Sequence, residues 1–335
     1  MSGIADVARR AGVSKATASR ALTGSTQVSD QTRQRVQEAA AELGYVPSTS
    51  AVSLATGRTR NVGVIMPRLN RWFFAEVLEG IQATLLRHGL DLTLYDARPG
   101  TEGRRRIFDD FLARKRFDGL IAVGLDPDDH ELERLLRIGR PVVSVVGASA
   151  DISIVTIDDT HAAQRATEHL LALQHTDIAF VGGGTETPWQ RVDAARYEGY
   201  RRAMAAAGHL PRHIASPTSL PGGYAVAVDE LSDARRRPTA LVAVCDEVAI
   251  GAIVAARQLA IPVPAGLSVV GIDNHEYAEM FSLTTLAQQP RDQGIAAAEL
   301  LVSTLGTAAA APVEHRLEAR LIVRNSTAPP AAART

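Results

Sequence analysis

Along the first sixty residues apolar positions recur at helical spacing, whereas beyond residue 61 short apolar runs alternate with helix-length segments. Within residues 4–22 two short amphipathic stretches are joined at Gly12-Val13-Ser14. Val7, Ala8, Ala11, Val13, Ala18 and Leu22 fall where two helices can close over a small shared core. Ser14 stands as N-cap of the second stretch, with Lys15 and Ala16 in its first turn and Arg20 one turn beyond Ala16. A third helix is signalled by Ser29 as N-cap, Asp30 in the first turn, and Val36, Ala40 and Leu43 on one face. Gly44 supplies its stop, so residues 1–46 read as an all-α head. Residues 47–58 read as a linker holding a short helix over 48–56, with Ala51, Leu54 and Ala55.

Residues 59–325 form the body. Apolar runs at 62–66, 90–95, 120–123 and 142–146 are separated by helical patterns such as 74–87 and 104–116. A second set follows at 154–157, 178–181, 241–244 and 267–272, with helices near 162–173, 196–207 and 249–259. This alternation predicts an α/β class body of two doubly wound parallel sheets, one per lobe, with a ligand site between them at the carboxyl ends of the strands. The Pro/Ala-rich residues 326–335 carry no packing pattern and read as a disordered tail. They also lack an apolar heptad array, which favours a dimer over a coiled-coil tetramer.

Charge sharpens the division. The whole chain carries −1, but residues 1–60 carry +4 and the rest −5. A basic helix-turn-helix head on a mildly acidic body points to double-stranded DNA as partner, with the second helix inserted in the major groove. The single cysteine, Cys245, excludes an intrachain disulfide, and no apolar run reaches the ~20 residues of a membrane span. A cytoplasmic protein is expected, with no membrane partner. Enzyme chemistry finds no support. The segment starting Val181-Gly-Gly-Gly has neither P-loop nor dinucleotide spacing, and His161, His169 and His175 lack nearby ligand partners. No cofactor, metal or catalytic residue is expected.

The motifs Asp6-Val-Ala-Arg-Arg-Ala-Gly-Val-Ser-Lys, Val28-Ser-Asp-Gln-Thr-Arg, Glu42-Leu-Gly-Tyr-Val-Pro and Thr59-Arg-Asn-Val-Gly-Val-Ile-Met-Pro open the chain and its body. Phe73-Phe-Ala-Glu-Val-Leu-Glu-Gly-Ile, Cys245-Asp-Glu-Val-Ala-Ile-Gly-Ala, Val270-Gly-Ile-Asp-Asn and Leu283-Thr-Thr-Leu follow. Together they resemble the LacI/GalR family of bacterial transcription regulators over nearly the whole chain. The resemblance implies a two-lobed, periplasmic-binding-protein-like body, operator DNA, a small-molecule effector, and repression by a homodimer on a near-palindromic site. It also places base reading at Lys15, Ala16 and Arg20. Arg20 can donate two bonds to guanine, Lys15 can reach guanine or phosphate, and Ala16 offers only a methyl. Ser14, Thr17, Ser19 and Ser29 suit phosphates, which set register. Arg9, Arg10, Arg33 and Arg35 read equally well as solvated helix surface.

The resemblance also assigns residues 47–54 to a hinge helix in which Leu54 wedges into the minor groove and Ala51 lies alongside. Val52 stands where arginine is common in the family, and Ser48 where asparagine is common. A helix this short falls below the ~12–15 residues at which isolated helices become marginal in water. It therefore folds only when DNA and a partner hinge bury it.

For the effector the resemblance implies Asn70, Trp72, Phe73, Phe74, Arg191, Arg196, Tyr224, Cys245, Asp246, Asp273 and Gln288. Three consecutive aromatics stand out in a chain with fifteen. One is expected in the core and one or two facing the cleft. Cys245 reads alternatively as a small buried residue, and Asp246 as a helix cap. Arg191 favours an acid or phosphorylated ligand if it faces the cleft. A sugar or sugar derivative is the first expectation, a purine-type ligand the second. A transport-type sugar-binding protein shares such a body, but not the head.

Overall fold

The computed structural model describes residues 3–23, 27–46, 57–147, 151–184, 189–306 and 311–331. The expected hinge residues Ser48, Ala51, Val52 and Leu54 lie outside them.

In the head, α1 (Ile4–Ala11) and α2 (Lys15–Leu22) are followed by α3 (Asp30–Glu42). Gly12 turns the chain between the first two at φ 66, a left-handed conformation that costs a residue with a Cβ. Ser14 Oγ accepts from the Thr17 amide at 3.0 Å, and Ser29 Oγ caps α3 through the Thr32 amide. Val7, Ala8, Ala11, Ala18, Val36 and Ala40 are buried together, with Val13, Leu22 and Leu43 packed partly against them.

The body is two parallel sheets. The first contains β1 (Asn61–Met66), β2 (Asp91–Asp96), β3 (Gly119–Val123), β4 (Val142–Val145), β5 (Ser153–Thr156) and β11 (Glu314–Arg316), in the order β11-β5-β4-β3-β1-β2. Its helices are α4 (Trp72–Arg87), α5 (Glu102–Arg106), α6 (Asp129–Leu136) and α11 (Pro290–Thr304). The second contains β6 (Ile178–Val181), β7 (Arg212–Ile214), β8 (Ala240–Ala243), β9 (Ser268–Asp273), β10 (Thr284–Ala287) and β12 (Arg320–Ile322), in the order β12-β10-β9-β8-β6-β7. Helices α7 (Asp159–Ala172), α8 (Arg191–Ala206), α9 (Leu220–Ser232) and α10 (Asp246–Gln258) belong to it. Among the described strands only β12 runs antiparallel.

Central strands read as unbroken apolar runs because helices cover both of their faces. Val62, Val64, Ile65 and Met66 are fully buried, as are Leu120 and Ile121 beside them. Helices α4 and α11 approach so closely at Gly80 that an added Cβ would lie 2.1 Å from the Arg291 carbonyl oxygen. The chain passes between the lobes three times: from β5 into α7, from β10 into α11, and from β11 into β12.

Two expectations are corrected. Residues 104–116 do not form one helix. After α5 comes a π-turn at Ile107–Phe111 and a 3₁₀ turn at Leu112–Arg114. The widened turn carries Ile107, Phe108 and Leu112 into one core, while the Arg104 guanidinium pairs with Glu131. The tail is also packed at its start, where a disordered segment is expected. Ser326 is buried, its Oγ donating to the Val269 carbonyl at 2.6 Å and accepting from the Thr284 amide at 2.8 Å. Ala328 N donates to Ser268 Oγ. Polar side chains hold this segment on the sheet, so hydrophobic patterning carries no trace of it.

Candidate ligand-binding cleft and DNA-reading face

On α2, Lys15, Ala16 and Arg20 are exposed, while Ala18 and Ala21 face the head's core. One helix therefore turns Ala18 and Ala21 inward and Lys15, Ala16 and Arg20 outward. Thr17 and Ser19 are half-buried, whereas Ser14 and Ser29 sit exposed at helix starts. The caps occupy part of the bonding capacity of Ser14 and Ser29, and the first-turn amides beside them suit anionic oxygens.

Between the lobes lies a cavity of about 120 Å³. Its lining comes from loops and helix starts that follow the carboxyl ends of strands, where an open α/β sheet reverses its strand order. Trp72, Phe73 and Phe74, in the first turn of α4, form one wall. Phe73 and Phe74 meet edge to face with centroids 5.5 Å apart, and Trp72 packs at 4.9 Å against His275 of the other lobe. All three are half-buried and line the cavity, and Phe73 and Phe74 also pack against the core of the first lobe. Gly124 makes room for Phe74. At φ +57, a Cβ there would stand 2.7 Å from the Phe74 ring.

The opposite wall is polar and buried. Arg196 on α8 donates from Nε to Asp159 Oδ1 at 2.8 Å and from Nη1 to the Val244 carbonyl at 2.6 Å. Its Nη1 lies 3.8 Å from Asp273 Oδ1. Burial opposes the charge on Arg196, but Asp159 and Asp273 overcome it and hold the guanidinium above its ordinary range. Burial pushes the Asp273 carboxyl up, against the pull of Arg196. Gln288 Nε2 donates to Asp273 Oδ1 at 2.5 Å, and Gln293 Nε2 fixes Gln288 by donating to its Oε1 at 2.9 Å. Backbone conformation adds strain here, with φ 139 at Asp273 and φ 59 at Asn274. Cys245 also lines the cavity, its thiol pushed up by burial and by Asp273, so it remains the neutral thiol.

The cavity thus gathers Trp72, Phe73, Phe74, Arg196, Cys245, Asp273 and Gln288 of the expected residues. Four others stand elsewhere. Asn70 is exposed in the loop after β1 and does not line the cavity. Tyr224 lies on α9, where its hydroxyl donates to Gln258 of the neighbouring helix. Asp246 sits behind the wall, accepting from the Thr285 hydroxyl at 2.7 Å and the His275 amide at 2.9 Å. It holds the strained 273–275 turn in place. Arg191 has a side chain 58% exposed and lines a neighbouring crevice with Ile154 and Glu314, so the condition for an acidic ligand is not met.

Other lining residues escaped the sequence. Asp193 precedes Arg196 by one helical turn and shares its face, a spacing that offered a signal. Arg71 and Glu247, each adjacent to an expected residue, join the two lobes with an Nη1 to Oε2 bond of 2.5 Å. Asp126 accepts from the Arg191 amide across the same gap at 3.1 Å. Thr218 carries no sequence signal.

Two known families match parts of the chain. Residues 3–48 match the family described as bacterial regulatory proteins, lacI family, and residues 167–327 match the periplasmic binding protein-like domain. The HTH-type transcriptional repressor PurR of Vibrio campbellii (strain ATCC BAA-1116) is 32% identical over 337 residues, covering 97% of this chain and 98% of that protein. Two solved structures resemble the chain throughout. The transcriptional regulator CelR–cellobiose complex has a TM-score of 0.71 and 29% identity, covering 97% of this chain and all of that one. The Lac repressor dimer bound to operator and the anti-inducer ONPF has a TM-score of 0.85 and 25% identity, covering 98% and 99%. With a helix-turn-helix head, two α/β lobes and this length of shared sequence, the chain belongs to the lacI family of bacterial regulatory proteins, a family of DNA-binding regulators rather than enzymes.

Proposed function

We propose that this protein represses transcription in the cytoplasm as a homodimer on a near-palindromic operator, and that a sugar or sugar derivative held between its lobes sets operator affinity. Lys15, Ala16 and Arg20 contact bases. Ser14, Thr17, Ser19 and Ser29 contact phosphates, and Ala51 and Leu54 act at the minor groove. The observation that carries the effector reading is the cavity, with an aromatic wall facing the buried Arg196–Asp273–Gln288 group. Aromatic faces cover the apolar side of a sugar ring, and carboxylate and amide groups fix its hydroxyls. The CelR structure, with its cellobiose, supports the same ligand class. A ligand that draws the lobes together alters the spacing of the two heads. A coupling of about 1–3 kcal/mol then changes operator affinity roughly five- to 150-fold.

A thermal-shift screen of sugars, polyols, sugar acids and purines against the full-length protein tests the reading, because ligand stabilisation grows with excess over Kd. A carbohydrate is expected to raise Tm, and Asp273→Asn to remove that shift in a variant whose melting remains cooperative. A purine hit replaces the ligand class. A carbohydrate shift retained by Asp273→Asn moves the site elsewhere.

A further inference from the structure

The polar wall is rich in acids, and its buried cation already has partners. Asp193 is 6% exposed, and the Thr218 hydroxyl donates to its Oδ2 at 3.2 Å. Asp126, Glu247 and Asp273 line the same cavity. Against these four acids stand Arg196, Arg71 and Arg68. Arg196 is bonded to Asp159 and the Val244 carbonyl, and Arg71 to Glu247. Arg68 is exposed, where water screens its charge. Arg191 lines the neighbouring crevice, 58% exposed, with its Nε 3.7 Å from Asp126 Oδ1, so that pair too is largely open to water. Burial, opposed by the Arg196 charge and reinforced by Asp126 and Asp159, pushes the Asp193 carboxyl up.

An anion brought into this space loses its water and meets carboxylates that already repel one another. A hydroxyl or an ammonium instead finds carboxylates in the lining to which it can donate. Building on the carbohydrate reading above, we propose that the cavity takes a sugar whose groups are hydrogen-bond donors, uncharged or amine-bearing. It rejects sugar phosphates and sugar acids, and Asp193 is a residue that sets this charge selectivity. Its position suits the role. It stands one turn before Arg196 on the same helix, so a ligand reaching Asp273 passes within reach of it.

Isothermal titration of the full-length protein provides the test. Neutral hexoses and pentoses, 2-amino-2-deoxyhexoses, and the 6-phosphates and uronic acids of the same sugars are compared. Each anionic compound is expected to bind about 100-fold or more weakly than its neutral parent, since like charges brought together in a binding site are strongly disfavoured. Asp193→Asn is expected to narrow that gap about tenfold, a pattern that a merely structural role would not produce. Either a neutral or an amino sugar as tightest ligand supports the proposal, and an amino sugar points to an ammonium–carboxylate pair. An anionic sugar that binds as well as its parent overturns it. So does an unchanged gap in Asp193→Asn and Asp193→Ser, both verified as folded by circular dichroism. Should purines bind instead of sugars, the carbohydrate reading falls, while nucleosides against their 5′-monophosphates put the charge rule to the same trial. Silence from every compound overturns both.

Discussion

The two walls of the cleft are made in different ways. The aromatic wall comes from three consecutive residues in one helical turn, Trp72, Phe73 and Phe74. The polar wall draws Arg196 from α8, Asp273 from the end of β9 and Gln288 from beyond β10, with Asp159 behind them on α7. The first depends on local sequence and supplies area, which is non-directional and lost by degrees. The second depends on long-range folding. Its members satisfy one another, so removing one leaves the others buried and unpaired.

That contrast orders the expected effects. Arg196→Leu strands Asp159 and Asp273, and is expected to lower stability by about 3–5 kcal/mol. Urea denaturation followed by circular dichroism measures it, and a loss below 1 kcal/mol would show that the polar wall tolerates piecemeal change. Phe74→Ala opens space against Gly124 and removes one edge-to-face contact. A stability loss of about 2 kcal/mol is expected, with ligand affinity falling roughly fivefold. Titration calorimetry reads the second, and complete loss of binding would make the aromatic wall as cooperative as the polar one. Glu247→Gln weakens the bond that joins the walls, between two side chains less than a fifth exposed. The expected cost is at most about 1 kcal/mol, seen in stopped-flow traces as faster ligand release with little change in association.

The same contrast explains how much could be read in advance. Both the head and the alternating body were legible, because helix caps and apolar runs are local patterns: Ser14 and Ser29 cap α2 and α3, and the first six β-strands of the body overlie the expected apolar runs. The aromatic wall was legible for the same reason. The polar wall was legible only through the family resemblance, which implied Arg196, Asp273 and Gln288. Tyr224 and Asn70 failed because their orientation is decided by packing of α9 and by the course of an exposed loop. Asp193 and Thr218 meet only after β6 and β7 pair, an event with no imprint on either residue's neighbours in sequence. The packed tail escaped notice because Ser326 and Ala328 are held through polar atoms.

Three separate chain passages between the lobes, rather than one, have a mechanical consequence. A single tether lets two bodies swivel freely, and closure onto a small molecule would then end in many arrangements. Three tethers remove most of those freedoms and leave the lobes to swing like a door on its frame. On the effector reading proposed above, whatever enters the gap is thereby converted into one reproducible displacement at the far end of the first lobe, which gives a DNA-binding regulator something to act through.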